Sequence, residues 1–469
     1  MKTVQGNWKR ESSENSNIGE LIIDNEYLEF SVMNESFPFN CSFVGNDGEH
    51  NYKVYTYGTG STKYKHINCG HGYRVRKVAL SNAGFQKGLI IENIISFSFE
   101  IPELAKWLGM KSVYFNFSEE GELYAVEQKI EPIVLMNTNP FIEIKYGPAS
   151  PFMSGDVDEK VEFVIKNHPR VHVTYDIPVN DEIVQNDIRI IMRFFGMMAG
   201  YVSYVQDIRL DIQGDDLKTW LYINEDFSHN LNSSGVLDRL RANYEMVKEH
   251  LNDYFENWYR FSNDELFNLP RNMYFTNNNK RNHYLEDLFT AYCKILEGYD
   301  LRVSKDEEKA DILGSNILEI LKTQEIQNLF SDVFTKVNSK YKPKSVSEWI
   351  RTGFLERISL TDRLKRLDKQ YLNIIAGNSE FVINEVVSDN YFKAIVKTRN
   401  FLSHYKVDRE GVMDSTQVYN SIGTLKCLIT IIFFTHMGME MESIKSMMIK
   451  DSGLWMFTSF LRKNEKLSS

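Results

Sequence analysis

The chain has 469 residues, which implies two or three domains, and its 42% apolar, 13% aromatic and 25% charged content is that of an ordinary folded protein. Only 10 prolines and 26 glycines exclude a collagenous or low-complexity chain, and 54 basic against 64 acidic side chains leave a net charge of −10, so any polyanion site has to be local rather than a bulk basic coat. Four scattered cysteines, Cys41, Cys69, Cys293 and Cys427, argue against a disulfide framework and for a reducing, cytoplasmic setting.

The segment around Trp8 has no apolar h-region of the signal-peptide kind. From Gly19 to about Asn224 the apolar period is mostly two, with β-branched and aromatic residues in excess. Gly19–Phe30 reads as a hairpin turning at Asp24-Asn25. Strands are then predicted at Lys53–Tyr57, Tyr73–Leu80, Leu89–Phe99, Ser112–Phe117, Leu123–Gln128, Phe141–Tyr146, Val161–Ile165 and Val171–Tyr175. One helix follows, carrying Val184, Ile188, Ile191 and Phe195 at helical spacing with Gly200 as its stop, and strands Val202–Ile212 and Thr219–Ile223 close the region. This pattern predicts a β-rich, sandwich-like or barrel-like domain over residues 1–232.

After Ser233 the period becomes helical. Leu237, Leu240, Tyr244, Val247 and Leu251 form one stripe, and residues 233–280 read as a helical connector ending in a polar loop at Thr276–Asn282. Residues 281–469 read as an all-α domain. Its first helix carries Leu285, Leu288, Phe289, Tyr292, Ile295 and Leu296 and is expected to stop at Gly298; further helices are expected at Lys309–Gln324, Glu325–Val337, Leu360–Ala376, Tyr391–Tyr405 and Gln417–Met439. The most apolar run, Cys427–Met439, is about 13 residues where a membrane span needs about 18, so it reads as a buried core helix and no membrane partner is expected. The fold class is therefore α+β, with a β-rich half followed by a helical half.

Phosphate-loop, dinucleotide-fold, nucleophile-elbow and His-Glu-x-x-His signatures are absent, as is any Cys-x-x-Cys pair. His66, Cys69 and His71 are the nearest approach to a metal cluster, but zinc needs a fourth ligand or a water. No metal or other cofactor is expected. His168 and His172 read as alternating strand positions, and Met197-Met198 and Met447-Met448 as core filler.

The segment Tyr391–Lys406 carries the chemistry. Phe392, Ile395, Val396 and Leu402 form its apolar stripe, while Lys393, Lys397 and Lys406 add positive charge. Asn400 and His404 are four residues apart and share a helix face; Arg399 lies about 100° round with a side chain long enough to reach the same rim. By spacing alone this is also a helix C-terminus stabilised by cations near its dipole. A basic helix face, Arg363, Arg366 and Lys369, is expected outside the stripe Leu360, Leu364, Leu367, Tyr371 and Ile374, where it could widen a cationic groove.

The string Arg399-Asn-Phe-Leu-Ser-His404 resembles the signature of HEPN domains, helical bundles in which an Arg, a following polar residue and a His recur, with an acidic residue such as Glu297 on an earlier helix. Gly6-x-Trp8 followed by Gly19-Glu-Leu, with the helix–strand pair Asp181–Ile212, resembles the β-rich domain of ApeA-type anti-phage proteins, which pair it with a C-terminal HEPN domain. The resemblance implies a metal-independent endoribonuclease acting on RNA, tRNA being one candidate. Its catalytic residues would be Arg399, Asn400 and His404, with Glu297 supporting them and Lys397 and Lys406 binding RNA. It also implies a homodimer or higher homo-oligomer, and a β-rich domain that senses a phage component. The alternative reading is a non-catalytic HEPN module for dimerisation or nucleotide binding, with a β-domain that binds a partner or ligand.

Overall fold

A computed structural model describes residues 2–13, 15–23, 28–33, 40–59, 70–81, 90–110, 113–117, 123–146, 150–154, 162–166, 169–200, 205–214, 219–223, 241–279, 284–304, 319–320, 323–336, 359–384, 387–404, 409–451 and 453–468. The chain forms two compact units, one of residues 1–261 with 435–453, the other of 262–434 with 454–469. The domain boundaries expected at 232/233 and 280/281 both lie outside the described residues.

The first unit holds strands β1 (Lys2–Arg10), β2 (Ser16–Ile23), β3 (Leu28–Met33), β4 (Asn40–Asn46), β5 (Asn51–Thr59), β6 (Gly70–Ser81) and β7 (Ile94–Glu100), helix α1 (Leu104–Leu108), then β8 (Val113–Phe117), β9 (Leu123–Glu127), β10 (Ile133–Met136), β11 (Phe141–Tyr146), β12 (Ser150–Ser154), β13 (Glu162–Lys166) and β14 (Pro169–Val179). Helix α2 (Asp181–Ala199), strands β15 (Gln206–Ile212) and β16 (Thr219–Ile223), and helices α3 (Tyr244–Val247) and α4 (Leu251–Asn263) follow. Among the described residues, a 12-stranded sheet runs in the order β10-β11-β14-β7-β15-β16-β6-β3-β2-β1-β4-β5, and β5 also pairs with β6. Strands β1 to β6 therefore close into a ring, which is the barrel-like part of the expectation. Strands β16, β15, β7, β14, β11 and β10 continue the same antiparallel sheet outward, while β8 pairs with β9 and β12 with β13 in two separate hairpins. Strand β6 belongs to both parts: Gly70–Arg74 pair with β3, while Lys77–Ser81 pair with β16.

Alternation explains the ring. Tyr52, Val54, Val78 and Leu80 point inward with Trp8, Leu21, Phe30 and Phe43 to form one apolar cluster. Trp8 fits because Gly45 lies under its ring; a Cβ there would stand 2.6 Å from Trp8 Cε3. The alternate residues Lys53 and Lys77 point the other way yet are also buried. Lys53 meets Glu11 at 2.7 Å, and Lys77 pairs with Asp181 at the start of α2. Buried lysines require such partners. The Asn180 side chain accepts the Glu182 and Ile183 amides, and Gly200 ends α2 at φ 84° as its sequence position predicts. Helix α2 is held between sheet and α4, where the Tyr175 and Tyr259 hydroxyls both donate to the buried Asp187, at 2.6 and 2.7 Å.

The second unit contains the rest of α4 and α5 (Asn268–Asn279), α6 (Leu285–Val303), α7 (Gln324–Lys336), α8 (Leu360–Gln370), α9 (Ile374–Gly377), α10 (Ser379–Ile383), α11 (Ser388–His404), most of α12 (Ser415–His436) and α14 (Trp455–Ser468); α13 (Met441–Lys450) belongs to the first unit. Tyr274 of α5 packs edge-on against Phe433 of α12 at 5.1 Å and lies over Tyr292 of α6 at 6.2 Å, which joins three helices in one core. Helix α12 is long and apolar enough to cross a membrane by length and composition, but most of its apolar window is buried inside the protein. It is a core helix, longer than its most apolar run.

Several local expectations are corrected. Helix α5 continues to Asn279, through the Asn-rich stretch read as a loop, with the Asn277 amide turned back onto the Met273 carbonyl at 2.7 Å. Helix α6 runs past Gly298 to Val303, and the Arg302 guanidinium donates to the Gly298 carbonyl at 2.6 Å. The stripe across Leu237 to Leu251 is not one helix: 224–240 lie outside the described residues, and residues 248–250 form a turn between α3 and α4. Arg363 and Arg366 are not a free cationic face. Both pair with the buried Asp300 of α6, Arg363 at 2.8 Å. Lys369 alone of the three is exposed without a change of reading.

Candidate active site

Helix α11 runs through the motif and ends at His404. Tyr391, Phe392 and Ile395 are buried against the bundle, so the faces that remain carry Lys393, Lys397, Asn400 and His404. Arg399 reaches the neighbouring helix α6, where its Nη2 meets Glu297 Oε2 at 3.0 Å, while its Nη1 donates to Asn400 Oδ1 at 3.0 Å. The structure therefore brings Glu297, Arg399 and Asn400 together and places His404 one turn further, exposed at the helix end. Lys397 is exposed on the same face; Lys406 lies outside the described residues.

Beneath Glu297, one turn earlier on α6, sits Cys293, fully buried, its thiol pushed up to about 12 by burial. Arg399 Nε and Ser403 Oγ are buried without a hydrogen-bond partner among the described residues. His66 and Cys69 lie outside the described residues, as does the His71 side chain, and among the described residues no three metal-ligating side chains gather. His172 is half-buried in β14; His168 lies outside the described residues.

Sequence reasoning did not single out the segment that returns after the motif. The Met413 amide donates to Thr398 Oγ1 at 2.9 Å, and the Ser421 hydroxyl rests on Met413 Sδ at 3.2 Å. The Arg409 guanidinium carbon lies 5.6 Å from the centre of the Phe401 ring. The one signal available was Gly411, whose φ of 68° favours glycine and whose α-carbon faces Lys397.

A family model described as ApeA N-terminal domain 1 matches residues 3–258, more than half of the chain. The chain belongs to the ApeA family. A second model, Apea-like HEPN, matches residues 290–443 and so takes in Glu297, Arg399, Asn400 and His404. No curated protein and no solved structure matches the chain. This ApeA-type chain is an anti-phage defence protein whose helical part is a HEPN domain, a family that is commonly nuclease-like.

Proposed function

We propose that the HEPN unit is a metal-independent endoribonuclease, with tRNA among its candidate substrates. The observation that carries this reading is the cation on α11 held by Glu297 and Asn400 beside an exposed histidine. RNA brings its own nucleophile. His404, an imidazole that can serve as a general base, takes the 2′-OH proton; the 2′-oxygen bonds to phosphorus and the P–O5′ bond breaks. Arg399 forks onto the phosphoryl oxygens and stabilises the charge that builds there, and Asn400 orients the phosphate. The leaving 5′-oxygen takes a proton from a second histidine. One chain supplies one such residue at this site, so the active species is a homodimer or higher homo-oligomer with motif helices meeting at a two-fold axis. Lys397 and Lys406 contribute to RNA binding. The β-rich unit restrains the site until it binds a phage component, and the protein acts in the cytoplasm.

The test is incubation of purified protein with total RNA in excess chelator, with mapping of the ends. Clean 2′,3′-cyclic phosphate and 5′-OH ends, lost in folded Arg399→Ala and His404→Ala proteins, are expected. Undiminished cleavage by both variants would move the chemistry elsewhere. RNA binding without cleavage under activating conditions would favour the non-catalytic module.

A further inference from the structure

We propose that Arg409, laid against Phe401, is a phosphate clamp that seats the RNA strand beside His404. The proposal rests on the RNA-cleaving reading above and assigns part of its substrate site.

Four observations converge. Arg409 is exposed, its guanidinium carbon stands 5.6 Å from the Phe401 ring centre, and no carboxylate among the described residues pairs with it. A guanidinium placed over a ring makes no hydrogen bond there, so its N–H donors stay available, and their planar fork matches a phosphate. Phe401 is three residues before His404 and four after Lys397, so the three are neighbours on one helix surface. The clamp therefore adjoins the proposed base, with a second exposed cation one turn behind it.

The segment carrying Arg409 is fixed in place. The Thr398 hydroxyl takes the Met413 amide, and Ser421 contacts Met413 from α12. Between them Gly411 turns at φ 68°, with Lys397 Nζ only 2.9 Å from where a Cβ would stand. A side chain there would strain the backbone and displace the lysine. A chain pinned at 411 and 413 holds its arginine at a constant position relative to the helix, as a substrate contact requires. Net acidity makes such local cations conspicuous: the chain as a whole carries −10.

Steady-state cleavage of a short single-stranded RNA separates this role from loop support. Arg409→Ala should raise KM about tenfold and leave kcat within about twofold, because a phosphate contact away from the reacting atoms is uniform binding. RNA binding by the non-cleaving His404→Ala protein should lose about one unit from its salt slope when Arg409→Ala is added. Arg409→Lys should restore the slope without the full affinity, and Phe401→Leu should raise KM at an unchanged slope. An unchanged KM and slope in Arg409→Ala, while the wild type cleaves, overturns the clamp and leaves the nuclease standing. A fall in kcat at constant KM overturns it as well and makes the segment a structural brace. A wild type that neither binds nor cleaves RNA takes down the nuclease reading and the clamp with it.

Discussion

Arg399 is held from two sides before any substrate arrives. A guanidinium that bonds both Glu297 and Asn400 has few rotamers left, so its remaining donors point in a set direction. Glu297 lies apart from the reacting atoms in this scheme and acts through Arg399. Glu297→Ala is therefore expected to lower cleavage by on the order of tenfold to a hundredfold with little change in melting temperature, since the pair is partly exposed. Glu297→Gln should recover part of the loss by keeping one hydrogen bond. Equal activity in wild type and Glu297→Ala would show that the pair does not aim the arginine. The acidic partner was named through the family resemblance, on the expectation that its helix ends at Gly298, whereas the helix runs on to Val303 and Glu297 faces Arg399 from within it. Arg409 was not legible in the sequence, because what gives it meaning is a ring contact formed only after the chain folds back over α11.

At the scale of elements, the turn after α8 shows how local pattern and tertiary demand part company. Leu360, Leu364, Leu367, Tyr371 and Ile374 keep helical spacing throughout, yet the helix breaks because Leu372 and Asn373 take left-handed φ values of 64° and 51°. What stabilises the break is Asp368, whose carboxylate accepts the Ile375 and Ala376 amides at 2.6 and 2.9 Å. A periodicity argument sees only the stripe, which the break preserves. Much else was readable: the hairpin of β2 and β3, the full length of β11 and β16, and α2 with its glycine stop all follow from alternation, helical spacing and capping. Strands β1, β4 and β10 were missed although each pairs with the strand that follows it, because their own alternation is weak: β1 buries Val4 and Trp8 among polar residues, and β10 is an unbroken apolar run of four residues. Burial lifts the Asp368 carboxyl to about 6 against an ordinary 3.8, even with two amides donating to it. Between those values the folded chain holds a proton that the unfolded chain has released, so this group's contribution to stability falls as pH rises from about 4 to 6. Asp368→Asn removes the titration. Its stability relative to wild type is expected to improve by on the order of 2–3 kcal/mol between pH 4 and 7 in paired unfolding measurements. A difference that does not move with pH would contradict the assignment.

For the whole molecule, the proposed acid and base must come from two chains. Once subunits have exchanged, an equal mixture of wild type and His404→Ala should retain about one quarter of the wild-type activity if mixed dimers are dead, rather than the half that dilution gives. A strictly proportional loss during demonstrated exchange would show that each chain works alone. Strand β6 has a consequence of another kind, for a chain still leaving the ribosome. Its partners β3 and β5 precede it, so the ring can close once Ser81 has emerged. The edge at Lys77–Ser81 must then wait for β16, about 140 residues later. At synthesis rates of about 5–20 residues per second, that edge stays open for roughly 7–30 s. An uncovered edge is where a nascent chain recruits the wrong neighbour, and a lysine is a residue that discourages it. Lys77 stands on that edge, and the carboxylate that finally neutralises it, Asp181, is itself made before β16 arrives. The same charge thus guards the half-made protein and then disappears into the finished one.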